Sequence, residues 1–348
     1  MRYLLFVFAL LVAATGCWGV EYRIRDLGAL GDMQSLAFDI NDAGQVVGES
    51  VYHAFLWQNG TMQDIGSLGG GGSSAYAINE DGQVVGASLT PIDIWDDHAF
   101  FWQDGTMEDM GTLQGDWSKA YDVNDRGQVV GWSAIDGGTS SWACHAVLWQ
   151  DGVIRDISGD LKSRAYGIND NGQVVGSNGH AFLWQDGLLR DLGTFGGNES
   201  DAYGINDIGQ VVGSSLMAGN GTFHAFLWQE GSMRDLGTLG SEYFYSRAQD
   251  INDRGQAVGY SGGVDGSHAF LWQNGVMQDL GTLCSEHPVS QACAINNNGL
   301  IVGYSYDTNW QMRAVLWEPV PEPSSLLALA GGLGALGLAL LRRRGARV

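Results

Sequence analysis

The nine residues Ile40-Asn41-Asp42-Ala43-Gly44-Gln45-Val46-Val47-Gly48 recur seven times in this chain with small changes. Successive copies are separated by steps of 38, 45, 45, 37, 46 and 44 residues. The Asn of this phrase falls at Asn41, Asn79, Asn124, Asn169, Asn206, Asn252 and Asn296. A repeat of about 40 residues indicates an array in which one small structural unit packs against its neighbours.

Three further elements repeat in phase with this phrase. One is His53-Ala54-Phe55-Leu56-Trp57, whose His recurs at His98, His145, His180, His224 and His268. Its Trp recurs at Trp102, Trp149, Trp184, Trp228, Trp272 and Trp317. An Asp that precedes Leu-Gly or a similar pair and a Ser six residues before each Asn also recur. Each unit therefore has the same ordered set of polar and aromatic positions.

Each unit reads as four short antiparallel strands, which we name a to d. In the second unit, strand a is Ser73–Asn79 and strand b is Gln83–Gly86. The His-Ala-Phe phrase forms strand c, and the run into the recurring Asp forms strand d. An Asn-Gly, Asp-Gly or Glu-Gly pair separates c from d in six units, and the first two pairs are typical of tight hairpin turns. Units of four such strands predict β-propeller blades.

The two ends of the repeat array predict how the ring closes. The last unit has strands a, b and c but runs into Pro319 without a strand d. A strand of the d type, Tyr22–Gly28, stands alone before the first unit. This strand can complete the last blade and remove its exposed edge. The sequence thus predicts an all-β, seven-bladed β-propeller over residues 21–319, closed by the N-terminal strand.

Composition restricts the classes of partner. The chain of 348 residues contains 39 acidic and 17 Lys or Arg residues, a formal net charge of −22. Residues 21–320 alone carry 38 acidic and 12 basic residues, a balance of −26. A nucleic-acid partner is not expected because phosphate binding requires a basic surface.

The first 19 residues have the pattern of a secretory signal peptide. Arg2 precedes an apolar run, Leu4–Ala14, that is too short to span a bilayer. Cys17 follows small residues and leaves lipidation open. An exported body permits disulfides, and Cys284 with Cys293 is the plausible pair.

The C-terminal residues 320–348 have three parts. Pro321-Glu322-Pro323 precedes an apolar segment over residues 326–341, and Arg342, Arg343 and Arg344 follow. The apolar segment is marginal for a membrane span, and the Arg cluster favours the cytoplasmic side. This tail resembles the PEP-CTERM sorting signal of Gram-negative bacteria. The resemblance implies recognition by an exosortase-type enzyme and delivery to the cell surface or extracellular matrix after transient anchoring in the inner membrane.

The His-Ala-Phe phrase resembles the repeat of the HAF family of probable extracellular repeat proteins. The resemblance extends over nearly all of residues 22–317. Unit seven departs from it, with Arg313 in the place of the His. The family implies a surface or extracellular location and no established activity.

Residues that occur once per blade are interpreted as structural. Seven equivalent Ser, His and Asp sets do not suit catalysis, which needs one precisely positioned group of residues. The six repeated His are expected to hydrogen-bond the recurring Ser or Asp, and the repeated Trp to lie in the blade cores. No metal is expected at the His, and no cofactor is predicted. Calcium at the Asn-Asp-x-Gly turns is an alternative to simple turn capping.

The connections that do not repeat are the expected location of function. Alternation of the strands puts the variable b–c and d–a connections together at one end of the propeller, and function is common in loops carried by a rigid scaffold. These loops combine aromatic and acidic residues, which suits stacking on sugars or a protein interface. The ligand-binding candidates are Trp95, Asp97, Trp117, Trp132, Trp142, Tyr243, Tyr245, Tyr306 and Trp310.

Three functions remain open on the sequence alone. The favoured hypothesis is a non-enzymatic surface or matrix protein that binds extracellular polysaccharide or protein through these loops. A carbohydrate-active or other hydrolase with one acid pair, drawn from Asp96, Asp97, Asp116 and Asp136, is the first alternative. A purely structural coat component is the second.

Overall fold

The computed structural model describes residues 20–31, 33–91, 97–136, 143–159, 162–219, 221–240, 244–263 and 266–320. Residues Tyr22–Pro319 form one compact unit, in which the described residues form 28 strands and no helix. Among the described residues there is accordingly no helix long and apolar enough to cross a membrane. The predicted signal peptide (1–19), the sorting residues 321–323 and 342–344 and the apolar segment 326–341 lie outside the described residues, as do most of the residues assigned to the tail.

The strands form seven antiparallel sheets of four, which confirms the predicted seven-bladed propeller. Blades 1 and 2 contain β2 (Ser35–Ile40), β3 (Val46–Ser50), β4 (His53–Gln58), β5 (Thr61–Asp64), β6 (Ser73–Ile78), β7 (Val84–Leu89), β8 (Asp97–Gln103) and β9 (Thr106–Asp109). Blades 3 and 4 contain β10 (Ser118–Val123), β11 (Val129–Ala134), β12 (Cys144–Gln150), β13 (Val153–Asp156), β14 (Arg164–Ile168), β15 (Val174–Ser177), β16 (Ala181–Gln185) and β17 (Leu188–Gly193). Blades 5 and 6 contain β18 (Gly196–Ile205), β19 (Val211–Met217), β20 (Phe223–Gln229), β21 (Ser232–Gly237), β22 (Ser246–Ile251), β23 (Ala257–Gly262), β24 (Ser267–Gln273) and β25 (Val276–Asp279). Blade 7 contains β26 (Ser290–Ile295), β27 (Ile301–Tyr306), β28 (Met312–Pro319) and β1 (Tyr22–Asp26).

The N-terminal strand closes the ring in the predicted manner. β1 pairs antiparallel with β28, with Ile24 opposite Trp317 and Asp26 opposite Val315. Trp317 is completely buried, and Ile24 packs on the same hydrophobic cluster. Arg313 occupies the place of the repeated His, and its Nε donates to Asp26 Oδ2 at 3.2 Å. The exception to the sequence pattern in unit seven therefore preserves the polar contact between strands c and d.

Two closed rings of hydrogen bonds connect the blades at the a–b turns. The side-chain Nδ2 of each repeated Asn donates to the backbone carbonyl of the Asn in the next blade, and Asn296 donates back to Asn41. The following residue in each blade forms a second ring, because its N–H donates to the side chain of its counterpart in the next blade. Buried amide groups are thus satisfied between blades as well as within them.

The repeated residues of strands b, c and d hold each blade together. The six repeated His Nδ1 atoms lie 2.6–2.9 Å from an Asp oxygen on strand d, the predicted contact. The Gly of strand b permits close packing, since a Cβ on Gly48 would overlap the carbonyl oxygen of Leu36. The c–d turns carry a residue at positive φ before their Gly, as at Asn59 with φ 52°. This is the backbone that the Asn-Gly and Asp-Gly pairs predicted.

Candidate functional site

The candidate site is the central channel together with its mouth on the side of the b–c and d–a loops. The first strands of neighbouring blades contact one another around the whole ring, so their side chains line the channel. Each of these seven strands has an irregularity in its register at the same place, for example between Ala37 and Asp39 in β2. A β-bulge inserts an extra residue and re-aims neighbouring side chains. Two consecutive positions therefore line the channel in six of the seven strands, where strict alternation would supply one.

The first of these positions forms an arc of aromatic rings on blades 1 to 5. The arc consists of Phe38, Tyr76, Tyr121, Tyr166 and Tyr203, with successive ring centroids 5.4–5.6 Å apart. Their interplanar angles of 40–53° are close to the rotation of about 51° between blades of a seven-fold ring. The five rings thus follow the turn from one blade to the next. Gln249 and Cys293 occupy the same position in blades 6 and 7.

The second position supplies three carboxyl groups, Asp39, Asp122 and Asp250. Each uses both oxygens to accept backbone N–H groups, one from its own blade and one from the next. Asp39 accepts from Ile40 and Ile78 at 2.8 Å each. Asp122 accepts from Val123 and Ile168, and Asp250 from Ile251 and Ile295, at 2.7–2.8 Å. The three side chains therefore connect blades 1 with 2, 3 with 4 and 6 with 7.

Burial raises the pKa of all three carboxyl groups, because the channel wall removes water from their charged forms. The pKa of Asp39 rises to about 8, with Asp122 and Asp250 adding to the increase and the amide bonds opposing it. For Asp122 it rises to about 7 and for Asp250 to about 6. Burial, Asp39 and Asp250 likewise raise the pKa of the Cys293 thiol to about 12. The site thus contains carboxyl groups that hold protons near neutral pH.

The aromatic and carboxyl positions surround a cavity of about 400 Å³, which we call the chamber. Tyr260, Gln291 and Tyr304 extend its wall toward the loop end. Two grooves lie beside it and share Tyr166 and Tyr76 with its lining. One, of about 270 Å³, includes Arg164 and Asp201. The other, of about 370 Å³, includes Tyr52, Asp97 and Lys119.

Three basic residues lie at the mouth, above the aromatic arc. Lys119 Nζ pairs with Asp97 Oδ2 at 2.8 Å. The guanidinium of Arg164 lies over the ring of Trp132, 5.7 Å from its centroid. Arg247 lies over Phe223 and donates to the Tyr203 hydroxyl at 3.4 Å. These cations are already engaged by acids, rings and hydroxyls, so the mouth is polar without being a free basic surface.

The structure places the predicted binding residues in different environments. Tyr306 ends strand β27, and Trp310 lies in the b–c loop that follows, with their ring centroids 6.0 Å apart. Trp310 is 63% exposed, and its ring centroid lies 3.8 Å from that of His287. Tyr245 is 43% exposed and meets Tyr260 edge-on. Asp97 is held by Lys119 in the groove already described. Trp95, Trp142 and Tyr243 lie outside the described residues.

Two expectations need correction. Trp132 is not an exposed loop aromatic, because it belongs to strand β11, is only 3% exposed and donates to the Tyr121 hydroxyl at 3.2 Å. It packs with Trp117, Ala134 and Cys144. The expected Cys284–Cys293 disulfide is absent, and the described cysteines all have free thiols. Strand β26 directs Cys293 into the chamber, whereas Cys284 is buried in the preceding loop.

Tyr52 is a site residue that the sequence analysis missed. It is 71% exposed and lies in the two-residue b–c turn of blade 1. Val51 and Tyr52 both have positive φ, at 53° and 67°, and Trp310 has φ 60°. Such backbone is unfavourable for a β-branched or bulky residue, and strain of this kind is concentrated at functional sites. The bulky pair Val51-Tyr52, between the b and c strands of unit one, was the available signal.

The described residues contain no group of three or more His, Cys, Asp or Glu that could hold a metal ion. At the opposite end of the channel, the a–b turns bring together Asp42, Glu80, Asp125, Asp170, Asp207 and Asp253. Their side chains are used in the second ring of hydrogen bonds described above. The arrangement is that of turn capping between blades.

No protein-family model and no curated protein sequence matches the chain. Among solved structures, it is similar to the acylaminoacyl peptidase of Pyrococcus horikoshii, with 10% identity, a TM-score of 0.52, and coverage of 87% of this chain and 54% of that one. A further acylaminoacyl peptidase structure, in complex with Z-Gly-Gly-Phe-chloromethyl ketone, gives 10% identity, a TM-score of 0.53 and coverage of 84% and 53%. The extracellular domain of a hybrid two-component system of B. thetaiotaomicron gives 10%, 0.53, and coverage of 85% and 39%. The chain thus spans about half the length of the peptidases it matches, and the likeness shows the propeller fold alone.

Proposed function

We propose that this propeller is a non-enzymatic binding protein that uses its loop end to hold extracellular polysaccharide. The observation that carries the proposal is the display of Tyr52 and Trp310, two strongly exposed aromatic side chains on strained backbone at that end. Aromatic faces beside carboxylate, amide and hydroxyl groups suit stacking on sugar rings, with polar side chains fixing the orientation. The polar groove beside Tyr52 contains Glu49, Asp97 and Lys119 as such groups.

The cellular context of this proposal comes from the sequence. The N-terminal signal pattern and the PEP-CTERM-like tail support export, recognition by an exosortase-type enzyme and a final position at the cell surface or in the matrix. The resemblance to the HAF repeat supports the same location. Stacking on a polysaccharide requires no basic surface, so it is compatible with the acidic charge of this ring.

A hydrolase is the second candidate, and the protonated carboxyl groups of the chamber favour it. A glycosidase requires one carboxyl group with a raised pKa as general acid and a second, ionised carboxylate. Asp39, with the higher pKa, would be the general acid, and Asp250, with the lower pKa, would be the ionised carboxylate. Release of reducing ends from a bound glycan, abolished by Asp39→Ala, would support the hydrolase over the binding protein.

The loop-end site makes a direct prediction for glycan binding. In the full-length protein, the double change Tyr52→Ala and Trp310→Ala should weaken binding to bacterial extracellular polysaccharides by about ten-fold or more, since losing an exposed stacking contact costs 1 kcal/mol or more. A glycan array followed by titration of the best polymer measures this. Ile208→Ala is the matched control, because Ile208 is 63% exposed in an a–b turn at the opposite end. Equal binding by the double variant, or an equal loss with Ile208→Ala, would exclude the loop end as the site.

A further inference from the structure

We propose that the chamber is a separate binding site for a primary ammonium group, R–NH3⁺, with the alkyl stem R lying against the aromatic arc. The inference begins with the chamber itself, a cavity of about 400 Å³ bounded by five rings and three carboxyl groups. This is more space than one ammonium group fills, so a substituent of several carbon atoms can enter with it. The proposed site lies deeper than the loop-end aromatics and does not depend on polysaccharide binding.

The carboxyl groups of the chamber have no basic partner. Its described lining contains no Lys, Arg or His. The acids that act on Asp39 are Asp122 and Asp250, so the three groups repel one another when ionised. The other titratable groups that face them are the Tyr phenols and the Cys293 thiol, which carry no positive charge. Buried carboxyl groups without a cationic partner are neutralised by protons, and a guest cation would instead stabilise their ionised form.

The basic residues nearest to the chamber are committed to other partners. Lys119 pairs with Asp97, Arg164 lies over Trp132, and Arg247 donates to Tyr203. Asp201 and Glu49 lie at the same level of the mouth and offset the positive charge there. A cation entering from the loop end therefore crosses a mouth of mixed charge before it reaches the three carboxyl groups of the chamber.

The arrangement of the acids fits an ammonium group better than a metal ion. Asp39, Asp122 and Asp250 belong to blades 1, 3 and 6, which are two, three and two steps apart around the ring. They therefore lie on three different sides of the chamber wall. An ammonium group has three N–H donors and can hydrogen-bond more than one acceptor. Each carboxyl oxygen already accepts one backbone N–H, which leaves a second lone pair for a hydrogen bond but does not provide an open chelating pair.

The hydrogen bonds between adjacent blades give the three acids a structural role. They do not explain why aromatic rings line the same chamber. Blades 2 and 7 carry Ala77 and Ala294 at the same position, so the fold does not require a carboxyl group there. The rings of Phe38, Tyr76, Tyr121, Tyr166 and Tyr203 line the same chamber as the acids, with successive centroids 5.4–5.6 Å apart. A cation over the face of an aromatic ring, within about 6 Å of its centroid, is stabilised by the ring quadrupole, and the same attraction holds for a ligand cation.

Titration calorimetry of the full-length protein with n-butylamine at pH 8 tests the proposal. We expect one site per chain, with weaker binding of tetramethylammonium, which has the charge but no N–H, and of n-butanol, which has the stem but no charge. Asp122→Ala should weaken n-butylamine binding by about ten-fold or more, because it removes a hydrogen-bond acceptor that can carry a charge. Asp42→Asn is the control, since it removes one charge at the opposite end and blade 7 carries Asn297 at that position.

A second readout separates a binding role from a structural one. Binding of the cation should ionise the carboxyl groups and release protons, so the heat measured at pH 7.5 should differ between buffers of different ionisation enthalpy. Equal affinity for n-butylamine and n-butanol, or unchanged n-butylamine binding in Asp122→Ala, would overturn the proposal. Comparing Nα-acetyl-lysinamide with glucosamine then distinguishes a lysine side chain from an amino sugar as the source of the group. Because Tyr52 and Trp310 lie outside the chamber lining, their double variant should bind n-butylamine normally whatever its effect on glycan binding.

Discussion

Replacing Ile24 by Asp should lower the free energy of unfolding by about 3 kcal/mol, because this change separates the N-terminal strand from the last blade. Ile24 lies opposite Trp317 and packs on the cluster that contains this Trp and Leu280. A carboxylate at position 24 would be forced against the largest fully buried side chain of the propeller. Detachment of β1 would also leave the hydrogen-bonding groups of β28 without a partner strand. Urea unfolding followed by tryptophan fluorescence measures the loss.

The repeat provides the matched control for this experiment. Position 24 corresponds to Met62, Met107, Met233 and Met277 in other blades, each opposite the repeated Trp. Ile24→Met should therefore cost less than about 1.5 kcal/mol, as volume-conserving changes do. The Asp variant should also associate at high protein concentration through the exposed edge of β28. A protein that tolerates Asp at position 24 as well as Met would show that β1 is not needed for closure.

The sequence was sufficient to predict the architecture because strand order and ring closure depend on the repeat. The offset between the lone strand before unit 1 and the missing strand after unit 7 admits one simple arrangement, and β1 pairs with β28 accordingly. The Asn-Gly and Asp-Gly pairs fixed the c–d turns for the same local reason. These features depend on residues that are close in sequence or repeated at a fixed period.

The candidate site was less predictable because it depends on a distortion of strand a. Strict alternation would place only one of Phe38 and Asp39 at the channel, whereas both line the chamber beside the bulge. The aromatic position three residues before the repeated Asn was visible in the sequence, since Tyr76, Tyr121, Tyr166 and Tyr203 share it. The structural interpretation of the repeated residues directed the binding prediction to the loops instead. Burial of Trp132 and the place of Cys293 in the chamber follow from the same three-dimensional arrangement.

The free energy of unfolding should fall by a few kcal/mol as the pH rises from 5.5 to 8.5, in contrast to most proteins with paired carboxylates. The pKa of Asp39, Asp122 and Asp250 in the folded state is about 8, 7 and 6, above the value near 4 of an unfolded chain. Between these limits the folded protein binds more protons than the unfolded one. The stabilisation is therefore complete below about pH 4 and is lost as the pH rises through the folded-state values. Urea unfolding at intervals of half a pH unit measures the slope.

Substitution of single carboxyl groups assigns this slope to the chamber. Asp39→Ala introduces the residue that blades 2 and 7 carry at the same position, and it should remove much of the pH dependence between pH 7 and 8.5. It should also reduce stability at pH 5.5, where Ile40 and Ile78 lose their hydrogen-bond acceptor. Asp42→Asn, which has its counterpart in Asn297, should leave the slope unchanged. A free energy that stays constant or increases from pH 5.5 to 8.5 would mean that the folded protein keeps these carboxyl groups ionised. The interactions with Ile78, Ile168 and Ile295 across the blade boundaries would then outweigh the cost of their burial.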